Sequence, residues 1–287
     1  MRSASNETEV GVAHTDRRSP LLGADLASNE LDGATLHVWV LHVGDCGVDE
    51  LSAHLDDLES RRAAAVARLA DRRRYVFSHV ALRHVLASYL NLSPKDVAFT
   101  RAPCPACGGR NGPPVLKGNR SVRFSLSARD DLVVIGVATT PVGVDVERVP
   151  GRETVDAVSV LLHPAERAEI GAATLSERGR VFARLWTRKE AYLKGRGVGL
   201  AHGLASEYLG SDGRAGGPPD WHVVRVPVTP PYQAAAAVGV EPPSHREPRA
   251  RPPTSVAYFG AHWDTGGGLV GSSMESCITT ASVPEGW

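Results

Sequence analysis

From Val142 the chain reads Val-Gly-Val-Asp-Val-Glu to Glu147. So strict an alternation fits a strand, because successive side chains leave opposite faces of a pleated backbone. Val144 and Val146 then need a core on one side, while Asp145 and Glu147 stand together on the other. Two carboxylates on one strand face suit a shared hard divalent cation. The same pattern also describes an exposed strand with its polar face in water.

Helix and strand patterns surround this segment on both sides. Thr35 to Val43 is β-branched and aromatic, a strand pattern. Residues 49–70 and 71–90 carry apolar positions at helical spacing, and Asn91-Leu92-Ser93-Pro94 stops the second helix. Residues 101–119 form a Cys/Gly/Pro loop, and Ser121 to Ala138 reads as strand, Asp130-Asp131 turn, strand. His163-Pro164-Ala165-Glu166 starts a helix with proline at its first position. Phe182 to Lys194 forms another, ended by Gly195 and Gly197. Trp221 to Val228 and Tyr232 to Val240 are short strands. The expectation is an α+β fold of two similar α/β halves, residues 34–140 and 141–240, with the active site in the cleft between them. Residues 1–33 are polar and without period, a flexible leader. Residues 241–287, rich in Pro, Arg, Gly and Ser, are expected to be a mostly disordered tail, with Val256-Ala257-Tyr258-Phe259 its only apolar knot and its one candidate for docking.

Composition bounds the partners. The 287 residues carry 32 basic and 32 acidic side chains, so no overall charge favours nucleic acid or an anionic membrane. No apolar run is long enough to cross a bilayer, and the first residues lack the apolar stretch of a signal peptide. Four cysteines are too few for a disulfide scaffold of this size. A reduced, cytoplasmic, monomeric protein is expected.

Only four of the basic residues are lysines, and two, Lys189 and Lys194, fall in Trp186-Thr187-Arg188-Lys189-Glu190-Ala191-Tyr192-Leu193-Lys194. On a helix, Trp186, Glu190 and Lys194 share a face. That face is either a packed tryptophan with a surface ion pair, or a third carboxylate and a cation facing an anionic substrate. Asp145, Glu147 and Glu190 suit Mg²⁺, which takes one or two carboxylates, waters and phosphate oxygens. Arg61, Arg62, Arg68, Arg72, Arg73, Arg74 and Arg83 lie in or beside the N-terminal helices. They form either a solvated face or a phosphate cradle, since guanidinium pairs with phosphate in bidentate geometry. Cys104-Pro105-Ala106-Cys107-Gly108-Gly109 has the spacing of half a zinc knuckle. With no second pair, a tight loop with two free thiols is the favoured reading.

Taken in order along the chain, these residues resemble the 4′-phosphopantetheinyl transferase superfamily, in its larger two-halved type. Asp71-Arg72-Arg73-Arg74-Tyr75 with Leu82-Arg83 is similar to the family's N-terminal helix, and Arg123-Phe124-Ser125-Leu126-Ser127 to its strand before the coenzyme site. Val142 to Glu147 is similar to its Gly-Ile-Asp-Ile-Glu motif. Leu185 to Lys194, followed by Gly195-Arg196-Gly197-Val198-Gly199-Leu200, carries its most specific motif. The resemblance implies pseudo-twofold symmetry, with coenzyme A in the cleft and Mg²⁺ on its pyrophosphate. It implies transfer of the 4′-phosphopantetheine arm to a serine of an acyl or peptidyl carrier protein, of the kind that serves peptide and polyketide synthases. Asp145, Glu147 and Glu190 then hold the metal, with Glu190 as base and Lys194 on the phosphates. Ser127, Arg129, Arg73 and Arg74 are the implied coenzyme contacts.

Two positions depart from the family. Ala128 stands in the place of a histidine, with Arg129 next to it, and Pro113 stands where the family often has lysine, with Lys117 beyond. Both losses predict weaker coenzyme A binding unless Arg129 and Lys117 compensate. A degenerate member that binds a partner without catalysis, and a different Mg²⁺-dependent phosphotransferase on a small nucleotide, are the competing readings.

Overall fold

The computed structural model describes residues 31, 35–43, 48–110, 112–199, 203–212, 217–240, 255–263 and 269–272. The expected leader lies, apart from Leu31, outside them.

Strand β1 (Thr35–His42) is followed by two short helices, α1 (Val48–Ser52) and α2 (Asp57–Ala65), and the long α3 (Leu69–Leu90). Asp56 starts α2 with a capping box: its carboxylate accepts from the Glu59 N–H, and Glu59 accepts from the Asp56 N–H. Asn91 ends α3 in the left-handed conformation, φ 52°. After the short strands β2 (Phe99–Arg101) and β3 (Pro114–Leu116), β4 (Arg123–Arg129) turns at Asp130-Asp131 into β5 (Leu132–Ala138). Then come β6 (Val142–Arg148), α4 (Arg152–Val158), α5 (Pro164–Ala172), α6 (Arg178–Arg196), β7 (Trp221–Val226) and β8 (Tyr232–Gly239). Gly197, not Gly195, ends α6, with φ +70°.

Two sheets carry the fold. One has the order β10-β9-β1-β5-β4 and the other β6-β8-β7. In the first sheet, β9 (Ser255–Trp263) and the edge strand β10 (Leu269–Ser272) come from residues 241–287, and β9 contains the Val256–Phe259 knot. β9 runs parallel to β1, pairing Thr35 with Ser255 and Trp39 with Phe259. The partner lies at the other end of the chain, which a local reading of composition does not see.

Burial orders these elements into four layers. Val76, Phe77, Val80 and Leu86 of α3 pack against Trp39 and Leu41 of β1 and Val133, Ile135 and Val137 of β5. The opposite face of that sheet, with Leu36, Val38, Leu132 and Val134, meets Val142, Val144 and Val146 of β6 and Ala234, Ala236 and Val238 of β8. The other face of β8, Ala235 and Ala237, receives Ala191 and Leu193 of α6. The valines of the Val142–Glu147 alternation therefore fill a sheet-on-sheet core.

Small residues set the spacing. A Cβ on Gly136 would lie 2.6 Å from Val144 Cγ1, and one on Gly143 would lie 2.0 Å from the Ala191 carbonyl oxygen and 2.4 Å from Gly195 N. The backbone of β6 thus presses directly on the backbone of α6. Across the seam, edge strand β4 meets edge strand β6 through serines: the Val144 N–H donates to Ser125 Oγ at 3.0 Å and the Val146 N–H to Ser127 Oγ at 3.3 Å.

Gly143→Ala is expected to lower stability by about 2–3 kcal/mol in urea unfolding, because its methyl meets backbone that cannot swing away. Gly171→Ala in α5, where a Cβ meets nothing within 4 Å, is expected to hold or gain up to about 1 kcal/mol.

Candidate functional site

The backbone contact at Gly143 brings the polar edge of β6 to the middle of α6. Asp145 is 2% exposed. Its Oδ1 accepts from Lys194 Nζ at 2.6 Å and from Ser127 Oγ at 3.0 Å. Lys194 also donates to Ser127 Oγ at 3.2 Å and lies 3.9 Å from Glu190. Glu147 pairs with Arg129 at 3.3 Å. Of the residues singled out in the sequence, Ser127, Arg129, Asp145, Glu147, Glu190 and Lys194 therefore gather where β4, β6 and α6 meet. Strand alternation explains the contribution of β4. Phe124, Leu126 and Ala128 pack toward the α3 side, leaving Ser125 and Ser127 to face β6.

The three carboxylates feel one another. Burial, and then the charge of Asp145, push the Glu190 carboxyl up to about 7, against the partial relief of Lys194. Burial and Asp145 also raise Glu147, with Arg129 and Lys194 opposing. Glu190 is thus poised to exchange a proton near neutral pH. Asp145 Oδ2 is buried without a hydrogen-bond partner, an uncommon state for a carboxylate oxygen. Among the described residues no three His, Cys, Asp or Glu side chains form a ready metal-binding group. The all-oxygen set and the orphaned Oδ2 instead suit a hard cation that completes its shell with substrate oxygens and water.

A cleft of about 630 Å³ opens beside this cluster, with Lys194 in its wall. Arg101, Arg123 and Arg196 line it as well, with the Gly195–Gly199 turn and Pro113. Arg123 Nε is buried without a partner, and Arg196 lies over the Tyr192 ring at 5.4 Å. These arginines escaped the sequence reading, although Arg123 shares a strand face with Ser125 and Ser127, and Arg196 follows Lys194 by two residues. Arg73 and Arg74 are not in that wall; Arg74 pairs with Asp71 at 2.8 Å on its own helix. Arg83 turns inward at 1% exposure, held by Asp56 at 2.6 Å and Glu59 at 2.7 Å, so it is structural and not part of a phosphate cradle. Lys117 is exposed and also absent from the cleft wall. Lys189 is structural too: it is fully buried, pairs with Glu166 at 2.8 Å and donates to the Glu207 carbonyl.

A wall of guanidinium and ammonium groups ending at a buried carboxylate cluster has the charge pattern that suits a polyphosphate ligand. A family model described as the 4′-phosphopantetheinyl transferase superfamily matches residues 141–218. The chain is 32% identical over 169 residues to 4′-phosphopantetheinyl transferase psf-1 of Bacillus pumilus, covering 55% of this chain and 65% of that one. It is 30% identical over 176 residues to 4′-phosphopantetheinyl transferase HetI of Nostoc sp. (strain PCC 7120 / SAG 25.82 / UTEX 2576), covering 58% and 70%. It is 23% identical over 150 residues to 4′-phosphopantetheinyl transferase gsp of Aneurinibacillus migulanus, covering 52% and 59%. The chain thus spans between 59% and 70% of the length of these relatives. It belongs to the 4′-phosphopantetheinyl transferase superfamily. No helix among the described residues is long and apolar enough to cross a membrane.

The electrostatic account has a direct check in the carbon-detected NMR titration of Glu190. Lys194→Met is expected to move its midpoint above about 7, and Asp145→Asn to move it below.

Proposed function

We propose that the chain transfers the 4′-phosphopantetheine arm of coenzyme A to a serine hydroxyl of an acyl or peptidyl carrier protein, including carriers of peptide and polyketide synthases. The observation that carries this reading is that Lys194 belongs both to the cation-lined cleft and to the carboxylate cluster. Coenzyme A presents a pyrophosphate and a further phosphate along one molecule, and the cleft offers separate cations to each.

Arg101, Arg123 and Arg196 meet the adenosine 3′-phosphate, and Lys194 meets the pyrophosphate. Asp145 and Ser127 fix the Lys194 ammonium, so its charge is aimed before substrate arrives. Asp145, Glu147 and Glu190 would hold Mg²⁺, which when bound neutralises pyrophosphate oxygens. The carrier's serine oxygen attacks the β-phosphorus, and adenosine 3′,5′-bisphosphate leaves. Glu190 takes the serine proton, a role suited to a carboxylate that titrates near neutral pH. Little covalent help is needed, because phosphoryl transfer depends chiefly on alignment and charge neutralisation.

The two sheets, backed by α3 and α6 respectively, support a reading of two halves related by a pseudo-twofold axis. The cleft forms within one chain, so a monomer suffices. The cytoplasm, where coenzyme A and carrier proteins meet, is the setting.

Intact-protein mass spectrometry of an apo carrier protein, with coenzyme A and Mg²⁺, tests this reading. A gain of one phosphopantetheine arm is expected, lost without metal and slowed by about 10²–10⁴-fold in Glu190→Ala. No gain across peptidyl and acyl carriers at high coenzyme A would favour a partner-binding protein without catalysis. Because a proton and a cation compete for Glu190, apparent Mg²⁺ affinity is expected to fall by up to about tenfold per pH unit below about 7. It should level off above that pH, and a flat profile through this range would contradict the assignment.

A further inference from the structure

The Cys104–Cys107 turn takes no part in this chemistry, yet it is built for chemistry of its own. The Gly108 N–H donates to the Cys104 carbonyl at 2.7 Å, and the Cys104 N–H donates to the Gly109 carbonyl at 2.7 Å. Gly108 adopts φ +71°, the left-handed conformation that lets the chain close so tightly. The N–H groups that follow Cys104 in the turn, those of Ala106 and Cys107, lie on the side of its sulfur. These contacts, the Cys107 N–H foremost, hold the Cys104 thiol below the usual cysteine range. The turn closed by these two backbone hydrogen bonds carries both cysteines, with Cys104 half-buried and Cys107 exposed. Two sulfurs are half the set a structural zinc needs, and no group of three metal-ligating side chains occurs among the described residues.

Placement adds a partner chemistry. Cys104 and Pro105 line the same cleft as Arg101, Arg123, Lys194 and Arg196. Pro105 also abuts the turn that ends α6: a Cβ on Gly197 would lie 3.4 Å from Pro105 Cγ and 2.9 Å from Pro113 Cγ. A thiolate on a cation-lined wall draws anionic molecules to its sulfur.

We propose that Cys104, on the cleft wall, and Cys107 behind it in the same turn form a reversible dithiol–disulfide pair, oxidised by a low-molecular-weight anionic disulfide. The Cys104 thiolate attacks one sulfur of that disulfide; the S–S bond breaks and one thiolate leaves. The Cys107 thiolate then attacks the Cys104 sulfur of the mixed disulfide and expels the second. The two cysteines lose two hydrogens and two electrons, and the external disulfide becomes two thiols. The new bond tightens the turn against the cleft mouth and lowers coenzyme A affinity. That consequence rests on the transferase reading; the exchange itself does not.

The test uses the full chain with Cys46→Ser and Cys277→Ser, treated with glutathione disulfide (anionic) or hydroxyethyl disulfide (neutral). Intact mass is expected to fall by two hydrogens, reversibly with dithiothreitol, with Cys104 linked to Cys107 in peptide maps. Cys107→Ser should accumulate a mixed disulfide at Cys104, whereas Cys104→Ser should label Cys107 at least about tenfold more slowly. The anionic reagent should slow with added salt while the neutral one does not. Equal labelling of the two cysteines, a mixed disulfide that persists when both are present, or stoichiometric zinc on the pair would overturn the proposal. Calorimetry with coenzyme A on both redox forms separates the two readings. A chain that binds the coenzyme but never forms the disulfide refutes the pair alone. A chain that forms it but binds no coenzyme in either form refutes the transferase reading alone.

Discussion

The direct contact between the backbones of β6 and α6 at Gly143 governs the rest of the molecule. A side chain there has no room, since even a methyl would sit 2.0 Å from the Ala191 carbonyl oxygen. With the strand pressed so closely on the helix, a residue two places along, Asp145, reaches residues one turn apart on the helix, Glu190 and Lys194. The valines between them hold the strand from its other face by filling the core between the two sheets. Core packing and site geometry are thus two consequences of one spacing.

That spacing forces charges together that would otherwise repel. Asp145, Glu147 and Glu190 converge, and Lys194 and Arg129 offset them only in part. The unsatisfied remainder shows in the raised carboxyl of Glu190 and in the orphaned Oδ2 of Asp145. On the proposed reading, a bound cation would offset these charges and return the stability that their convergence costs. The buried Lys189–Glu166 pair makes the opposite case, with Lys189 next to Glu190 in α6. Glu166 also accepts from the Leu209 N–H at 3.0 Å and from the His163 N–H at 3.2 Å. That pair is internally complete and serves to join α5 to α6.

The sequence made the short-range part of this legible. The alternation at Val142–Glu147 and the four-residue spacing of Trp186, Glu190 and Lys194 each fix a face, and those faces are the ones that meet. The reading was weaker where burial decides. Arg83 looks like any arginine on a basic helix, and the capping box of α2 together with the Pro94 and Val97 carbonyls turns it inward. Arg101 and Arg196 stood in segments read for their loops and helix end, so their convergence on the cleft was invisible. The parallel pairing of β9 with β1 joins opposite ends of the chain, and no local pattern encodes it. Ala128 packs toward the α3 side and leaves Ser127 on the carboxylate face. Its departure from the family is therefore separate from the cluster itself.

The most direct test of the account is a crystal structure of the chain with coenzyme A and Mg²⁺. The account predicts the pyrophosphate against Lys194, the metal on Asp145 Oδ2, and the remaining phosphate among Arg101, Arg123 and Arg196. A second basic hollow of about 430 Å³, lined by Arg184, Arg188 and Arg225, lies outside this cleft. Coenzyme A seated there, or against Arg73 and Arg74 on α3, with the carboxylate cluster left without metal, would contradict the account.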